Sequence, residues 1–215
     1  MRPLVRRLSP LSGLVALALC MALPGGPASA AAGERVIVCF GDSLTAGLGV
    51  APAEAYPARL AARLEAEGYR YRVVNAGVSG DTTAGGLRRL DWALRLEPDI
   101  VILALGANDG LRGQDLRAVR ANLDALVERF QRAGARVLLA GMRLPPNYGR
   151  PYADEFRRMY EAVARQHRAA LMPFLLDGVG GTPRLNQPDG IHPTAEGHRV
   201  IAERLWPYLR PLLSP

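Results

Sequence analysis

After residue 30 the chain has only three serines, Ser43, Ser79 and Ser214, and the whole chain has only three histidines, His167, His192 and His198. Acyl transfer by a serine needs a hydroxyl presented on a tight turn, an imidazole to take its proton, a carboxylate to orient that imidazole, and donors for a developing oxyanion. With so few candidates, elimination is possible. Ser214 is the penultimate residue, where order is not expected, and His167 stands between Arg165 and Arg168 on a helix face expected to be solvated. His198 lies six residues beyond His192, off its helix face, and reads as structural.

Ser43 stands in Gly41-Asp42-Ser43-Leu44-Thr45-Ala46-Gly47, where flanking glycines permit a sharp strand-to-helix turn. Taken alone, the same residues read equally well as a helix cap and a turn aspartate. The G-x-S-x-G elbow is absent, because position 45 is Thr. Asp189-Gly190-Ile191-His192-Pro193 offers a base and its orienter three residues apart, with Pro193 suited to the first position of a last helix. In isolation, that block is also a turn aspartate followed by a capping histidine. Ser79-Gly80-Asp81-Thr82 could bring the Gly80 N–H to a substrate oxygen while Asp81 caps the next helix. Gly106-Ala107-Asn108-Asp109-Gly110 could aim the Asn108 carboxamide at the same point, though alone it is ordinary turn sequence.

These blocks sit where a layered α/β protein would put them. Short apolar runs at 36–40, 71–74, 100–105 and 136–140, with a weaker one at 170–174, predict strands. Helical patterns fill about 55–67, 82–96, 115–133, 151–168 and 194–210. Strands apolar on both faces and separated by helices demand a parallel sheet covered on both sides. The expected fold is therefore a three-layer α/β/α sandwich with a central, mainly parallel five-stranded sheet. In such sheets functional groups gather beyond the carboxyl ends of the strands, which is where the stretches 41–43, 75–81, 106–110 and 141–150 fall.

The first 30 residues carry Arg2, Arg6 and Arg7, an apolar stretch from Leu11 to Leu23 and the exit Ala28-Ser29-Ala30. That is the layout of a secretory signal peptide, expected to be cut near Ala30 and to leave one domain over 31–215. The apolar run is too short for a bilayer span and is broken by Pro24-Gly25-Gly26-Pro27, so no stable membrane span is expected after cleavage. Leu19 before Cys20 argues against lipid attachment, and Cys39, the one cysteine left, reads as a buried thiol with no disulfide partner. Removing 1–30 takes three of the 27 basic residues and none of the 20 acidic ones, lowering the formal charge from +7 to +4. Every basic residue is arginine, scattered along the chain, which argues against a nucleic-acid partner and removes lysine Schiff-base chemistry.

Together, and in order, GDSL at 41–44, SGD at 79–81, GAND at 106–109 and DGIHP at 189–193 resemble the SGNH superfamily of GDSL hydrolases. The stretches VVNAGVSGDT, NDGLRG and RLPPNYG further resemble its bacterial periplasmic thioesterase, lysophospholipase and arylesterase branch. The resemblance implies a flavodoxin-like sheet, Ser43 as nucleophile, His192 as general base and acid, and Asp189 as its orienter. It also implies an oxyanion hole made by the Ser43 and Gly80 N–H groups and Asn108. The family usually has Gly where this chain has Ala107, so the added methyl would narrow the site. No metal or organic cofactor is implied. The implied substrates are fatty-acyl esters or thioesters, with Leu111, Leu144, Pro145, Pro146 and Tyr148 as candidates for an acyl groove and simple loop packing as their equal alternative. An exported, periplasmic or secreted monomer acting on a small acyl substrate is the expectation. The alternatives are a carbohydrate O-acetylesterase using the same machinery, and a non-catalytic domain holding a phosphate or carbohydrate at its glycine-rich strand ends.

Overall fold

The computed structural model describes residues 34–214; the expected signal segment, 1–30, lies outside them. Five strands form one sheet: β1 (Arg35–Gly41), β2 (Tyr71–Gly77), β3 (Ile100–Ala104), β4 (Arg136–Ala140) and β5 (Ala170–Met172). Their order is β2-β1-β3-β4-β5, and every pairing is parallel rather than only most of them. Among the described residues, seven α-helices accompany them: α1 (Ser43–Ala46), α2 (Tyr56–Ala66), α3 (Thr83–Leu94), α4 (Ala107–Leu111), α5 (Leu116–Arg132), α6 (Arg150–His167) and α7 (Ala195–Leu209). Helices α2 and α7 pack together on one side, against β2 and β5, while α3, α5 and α6 form the other layer.

The layering follows from where apolar side chains recur. In α5, Leu116, Val119, Leu123, Leu126, Val127 and Phe130 are buried, three or four residues apart, which is one helical stripe. Phe130 meets Phe40 of β1 edge-to-face at 5.4 Å between ring centroids. Strands β1, β3 and β4 are buried almost throughout, as a sheet covered on both sides requires. Edge strand β2 departs from the expectation of two apolar faces, with Arg72 and Asn75 exposed. It also runs three residues beyond the expected 71–74, because its register against β1 continues to the Gly41–Gly77 pair. Strand β5 stops at Met172 instead of 174, where Pro173 has no N–H to give a ladder.

Register positions the site. Gly41 pairs with Gly77 on one side and Ala104 on the other, so β1, β2 and β3 end level and release their loops at one height. Because β2 and β3 lie on opposite sides of β1, the chain leaves β1 at the switch point where open α/β sheets form a crevice.

Candidate active site

The turn after β1 is built from local hydrogen bonding. Asp42 caps α1, its Oδ1 accepting from the Leu44 N–H at 3.0 Å, and Gly47 closes the helix in the left-handed conformation. Ser43 is therefore the first residue of a one-turn helix, where its N–H has no intrahelical acceptor. Asp42 is the cap and Ser43 is not. The close seat of α1 on the sheet depends on Gly77, where a Cβ would fall 2.2 Å from the Ala46 nitrogen. Below it, Thr45 Oγ1 and the Tyr56 hydroxyl are hydrogen-bonded at 2.9 Å in the core.

Asp189, His192 and Ser43 form an unbroken hydrogen-bonded chain. Asp189 Oδ1 accepts from the Ile191 and His192 N–H groups at 3.0 Å each, and Oδ2 lies 2.7 Å from His192 Nδ1. The two backbone and ring contacts from His192, followed by the Ile191 N–H, hold the Asp189 carboxyl down to about 2. The carboxylate is thus ionised and accepts, so Nδ1 carries the proton and a neutral ring leaves Nε2 as acceptor. Ser43 Oγ donates to that nitrogen at 2.9 Å across 149 positions of sequence.

The loop bearing His192 is held by its own network. Gln187 N–H donates to the His192 carbonyl at 2.7 Å, Asn186 pairs with Pro193, and Gln187 Nε2 donates to Leu48 O at 2.7 Å and Pro193 O at 3.0 Å. Gln187 therefore ties the base loop to the exit of the serine turn. Pro193 precedes the cap of α7 instead of opening the helix; Thr194 caps it by accepting from the Gly197 N–H.

The other two blocks converge on the same turn. Gly80 has φ +78°, a left-handed conformation, and its N–H has no acceptor among the described residues. Asn108, in the first turn of α4, donates through Nδ2 to the Asp81 carbonyl at 2.9 Å and approaches Asp42 Oδ2 at 3.4 Å. It thereby links the neighbours of Gly80 and Ser43. Asp81 does not cap α3: Thr82 does, accepting from the Gly85 N–H, while Asp81 Oδ2 accepts from Arg89 Nε at 2.7 Å. Asp109, fully buried, accepts from Thr83 N–H and Oγ1, with Asn122 donating to that hydroxyl. That network pins α3 to α4. Burial raises the Asp42 carboxyl to about 6, against the hydrogen bond from the Leu44 N–H.

A cavity of about 470 Å³ opens beside Ser43 and His192, large enough for a small-molecule ligand. Of the residues singled out from sequence, Leu111, Leu144, Pro145 and Pro146 line it, together with Ala107 and Asn108. Tyr148 does not; its hydroxyl is drawn away to donate to Leu111 O at 2.9 Å, which makes it a brace behind the wall. Gly80 also lies outside the lining. Met142, Arg143, Phe174, Leu176, Gly180 and Gly181 also line it and carry no motif that sequence could flag. Arg89, Asp109 and Gln187 were likewise missed, since their partners are distant backbone or side-chain groups rather than near neighbours in sequence.

The remaining candidates are placed elsewhere. His167 is not a solvated face but mostly buried, 3.0 Å from Asp124 Oδ1. Ser214 is ordered after all: it donates from its N–H to Tyr71 and accepts from Arg35 and Arg136. His198 is buried, accepts from the Tyr56 N–H at Nδ1, and is held down to about 4 by burial and the Arg59 charge. Burial raises the Cys39 thiol far above its ordinary range, as an inert core residue requires.

A parallel α/β/α sandwich with a Ser-His-Asp chain at its carboxyl edge, and no G-x-S-x-G elbow, defines a serine hydrolase outside the α/β-hydrolase group. The chain belongs to the GDSL-like lipase/acylhydrolase family, which matches residues 39–200, and is an ester hydrolase of that family. It is 47% identical over 183 residues to Esterase TesA of Pseudomonas aeruginosa, covering 85% of this chain and 91% of the relative. It is 37% identical over 185 residues to Thioesterase 1/protease 1/lysophospholipase L1 of Escherichia coli K12, covering 86% and 88%. A crystal structure of TesA matches with a TM-score of 0.81 at 47% identity, over 83% of this chain and all of that one. Among the described residues no helix is long and apolar enough to cross a membrane.

Proposed function

We propose that this protein hydrolyses carboxylic ester and thioester bonds of acyl substrates by two-step acyl transfer, with Ser43 as nucleophile, His192 as base and acid, and Asp189 as orienter. The hydrogen-bonded chain from Asp189 through His192 to Ser43 Oγ carries this reading. Ser43 Oγ attacks the acyl carbon as its proton passes to His192 Nε2, and Asp189 stabilises the imidazolium. The carbonyl oxygen becomes an oxyanion received by the Ser43 and Gly80 N–H groups and Asn108 Nδ2. The C–O or C–S bond then breaks, His192 returns the proton to the departing alcohol or thiol, and Ser43 holds the acyl group. Water, deprotonated by His192, attacks the acyl-enzyme; the acid departs and Ser43 regains its proton.

Acyl chains suit a wall formed by Leu111, Leu144, Pro145 and Pro146, and the relatives' names, esterase and thioesterase 1/lysophospholipase L1, support ester and thioester substrates. Residues 1–30 direct export, and the processed chain acts as a monomer outside the cytoplasm. A panel of aryl esters and acyl thioesters of graded chain length, assayed with wild type and Ser43→Ala, tests the proposal. Hydrolysis is expected to vanish in the variant, and a serine-directed phosphonate is expected to label wild type at Ser43 alone. Turnover surviving at the wild-type rate in Ser43→Ala would remove Ser43 from the chemistry.

A further inference from the structure

Three separate stretches of chain supply Ser43, Gly80 and Asn108, and a single guanidinium touches the first two and reaches the third through Asp81. Arg89 of α3 lies over the Phe40 ring, its Cζ 3.7 Å from the ring centroid, with its side chain only 18% exposed. Its three donor edges diverge. Nη2 donates to the Gly41 carbonyl at 2.9 Å, Nη1 to the Ala76 carbonyl at 2.8 Å, and Nε to Asp81 Oδ2 at 2.7 Å.

One acceptor lies on the Ser43 segment and two on the Gly80 segment. Gly41 ends β1 two residues before Ser43, so fixing its carbonyl fixes the plane from which the α1 turn starts. Ala76 lies near the end of β2, and Asp81 directly follows Gly80, so the segment that presents the Gly80 N–H is held at both ends. The Asp81 carbonyl, in turn, accepts from Asn108 Nδ2. The Phe40 ring packs against one face of the guanidinium. A carboxylate partner alone would need one ion pair; two main-chain carbonyls at strand ends make this a three-way clamp.

We propose that Arg89 is the positioning residue of the oxyanion pocket, clamping the β1 end, the β2 end and Asp81 so that the Ser43, Gly80 and Asn108 donors converge on one point. This inference rests on the hydrolase reading above. Lysine cannot substitute, because a single ammonium on a flexible stem cannot reach three acceptors arranged around a planar fork. Since oxyanion stabilisation acts on the transition state, loosening the clamp lowers kcat and leaves ground-state binding in the apolar cavity nearly intact.

The test compares wild type, Arg89→Ala, Arg89→Lys, Ser43→Ala and Leu64→Ala on p-nitrophenyl butyrate, with melting temperatures measured in parallel. Leu64 is buried on α2 and takes part in none of the Arg89 hydrogen bonds, so it serves as a destabilised control. Arg89→Ala is expected to lose about 100-fold in kcat with KM within about threefold, and Arg89→Lys to recover only a small part. Millimolar guanidinium, below denaturing levels, is expected to raise kcat for Arg89→Ala and for no other variant. A kcat within about threefold of wild type in both Arg89 variants, a change confined to KM, or an equal kcat loss in Leu64→Ala overturns the proposal. If Arg89→Ala does not fold, Arg89→Lys decides alone by the same criteria. A wild-type protein with no Ser43-dependent hydrolysis refutes the hydrolase reading itself, and the inference with it.

Discussion

The two sides of the site are held in unlike ways. On the serine side, Asp42, Thr45, Thr83 and Asp109 are all buried, and their hydrogen bonds cap α1, tie it to Tyr56 of α2 and join α3 to α4. On the histidine side, a loop outside any helix carries Asp189 with its side chain 46% exposed, and His192 with 16%, held by Gln187 and a short Asn186–Pro193 bridge. The serine side is a piece of the core that happens to face a cavity. The histidine side is a surface loop whose geometry comes from a few hydrogen bonds. Rigid oxyanion donors need core-like support because they act without reorganising, whereas the base must accept and return a proton and needs only to be aimed.

That contrast predicts that variants on the two sides fail differently. Ser43→Ala is expected to show the largest effect, about 10⁴-fold or more in kcat with the melting temperature nearly unchanged, measured by initial rates and calorimetry. Asp189→Asn follows: about 10⁴-fold in kcat from a misdirected imidazole, again with little change in stability because the carboxylate is solvent-exposed. Asp109→Ala is expected to do the reverse, costing about 3–5 kcal/mol in denaturant unfolding because Thr83 N–H and Oγ1 lose a fully buried acceptor. Equal stability losses for Asp189→Asn and Asp109→Ala would erase the distinction between the two sides.

Asp42 sharpens it further through pH. Its folded carboxyl keeps a proton up to about 6, whereas the unfolded chain releases it near 3.8, so between those values the folded state binds more protons. Stability is therefore fully present below about 4 and falls as pH rises through about 6, by an amount on the order of 3 kcal/mol. Asp42→Asn is expected to abolish that slope in unfolding experiments from pH 4 to 7. Asp189 has the opposite sign: its depressed value contributes stability present above 3.8 and lost only as pH falls through about 2. The smallest expected effect is that of Gln187→Ala, about tenfold in kcat/KM, with faster amide hydrogen exchange confined to residues 186–193.

Much of this architecture was legible beforehand. Five strands and five long helices lie within a few residues of their expected positions, because burial on a sheet or on one helical stripe leaves a local period in the sequence. Helices α1 and α4, of four and five residues, were read as turns, since a single turn is too short to show any period. Ser43, Asp189, His192, Gly80 and Asn108 each stand in a block that by itself reads as ordinary turn sequence, and only the ordered set GDSL, SGD, GAND and DGIHP singles them out.

Residue type, element order and the list of groups competent for acyl transfer follow from the chain alone, because helical and strand propensity and turn chemistry act over a few residues. The meeting of Ser43 and His192 across 149 positions, the grip of Arg89 on the ends of β1 and β2 and on Asp81, the withdrawal of Tyr148 and the cavity wall of Met142, Phe174 and Leu176 were decided only on folding. Those contacts depend on how five strands pair and where their ends fall relative to one another. That register is set by the cooperative packing of the whole sheet and leaves no mark at any single position.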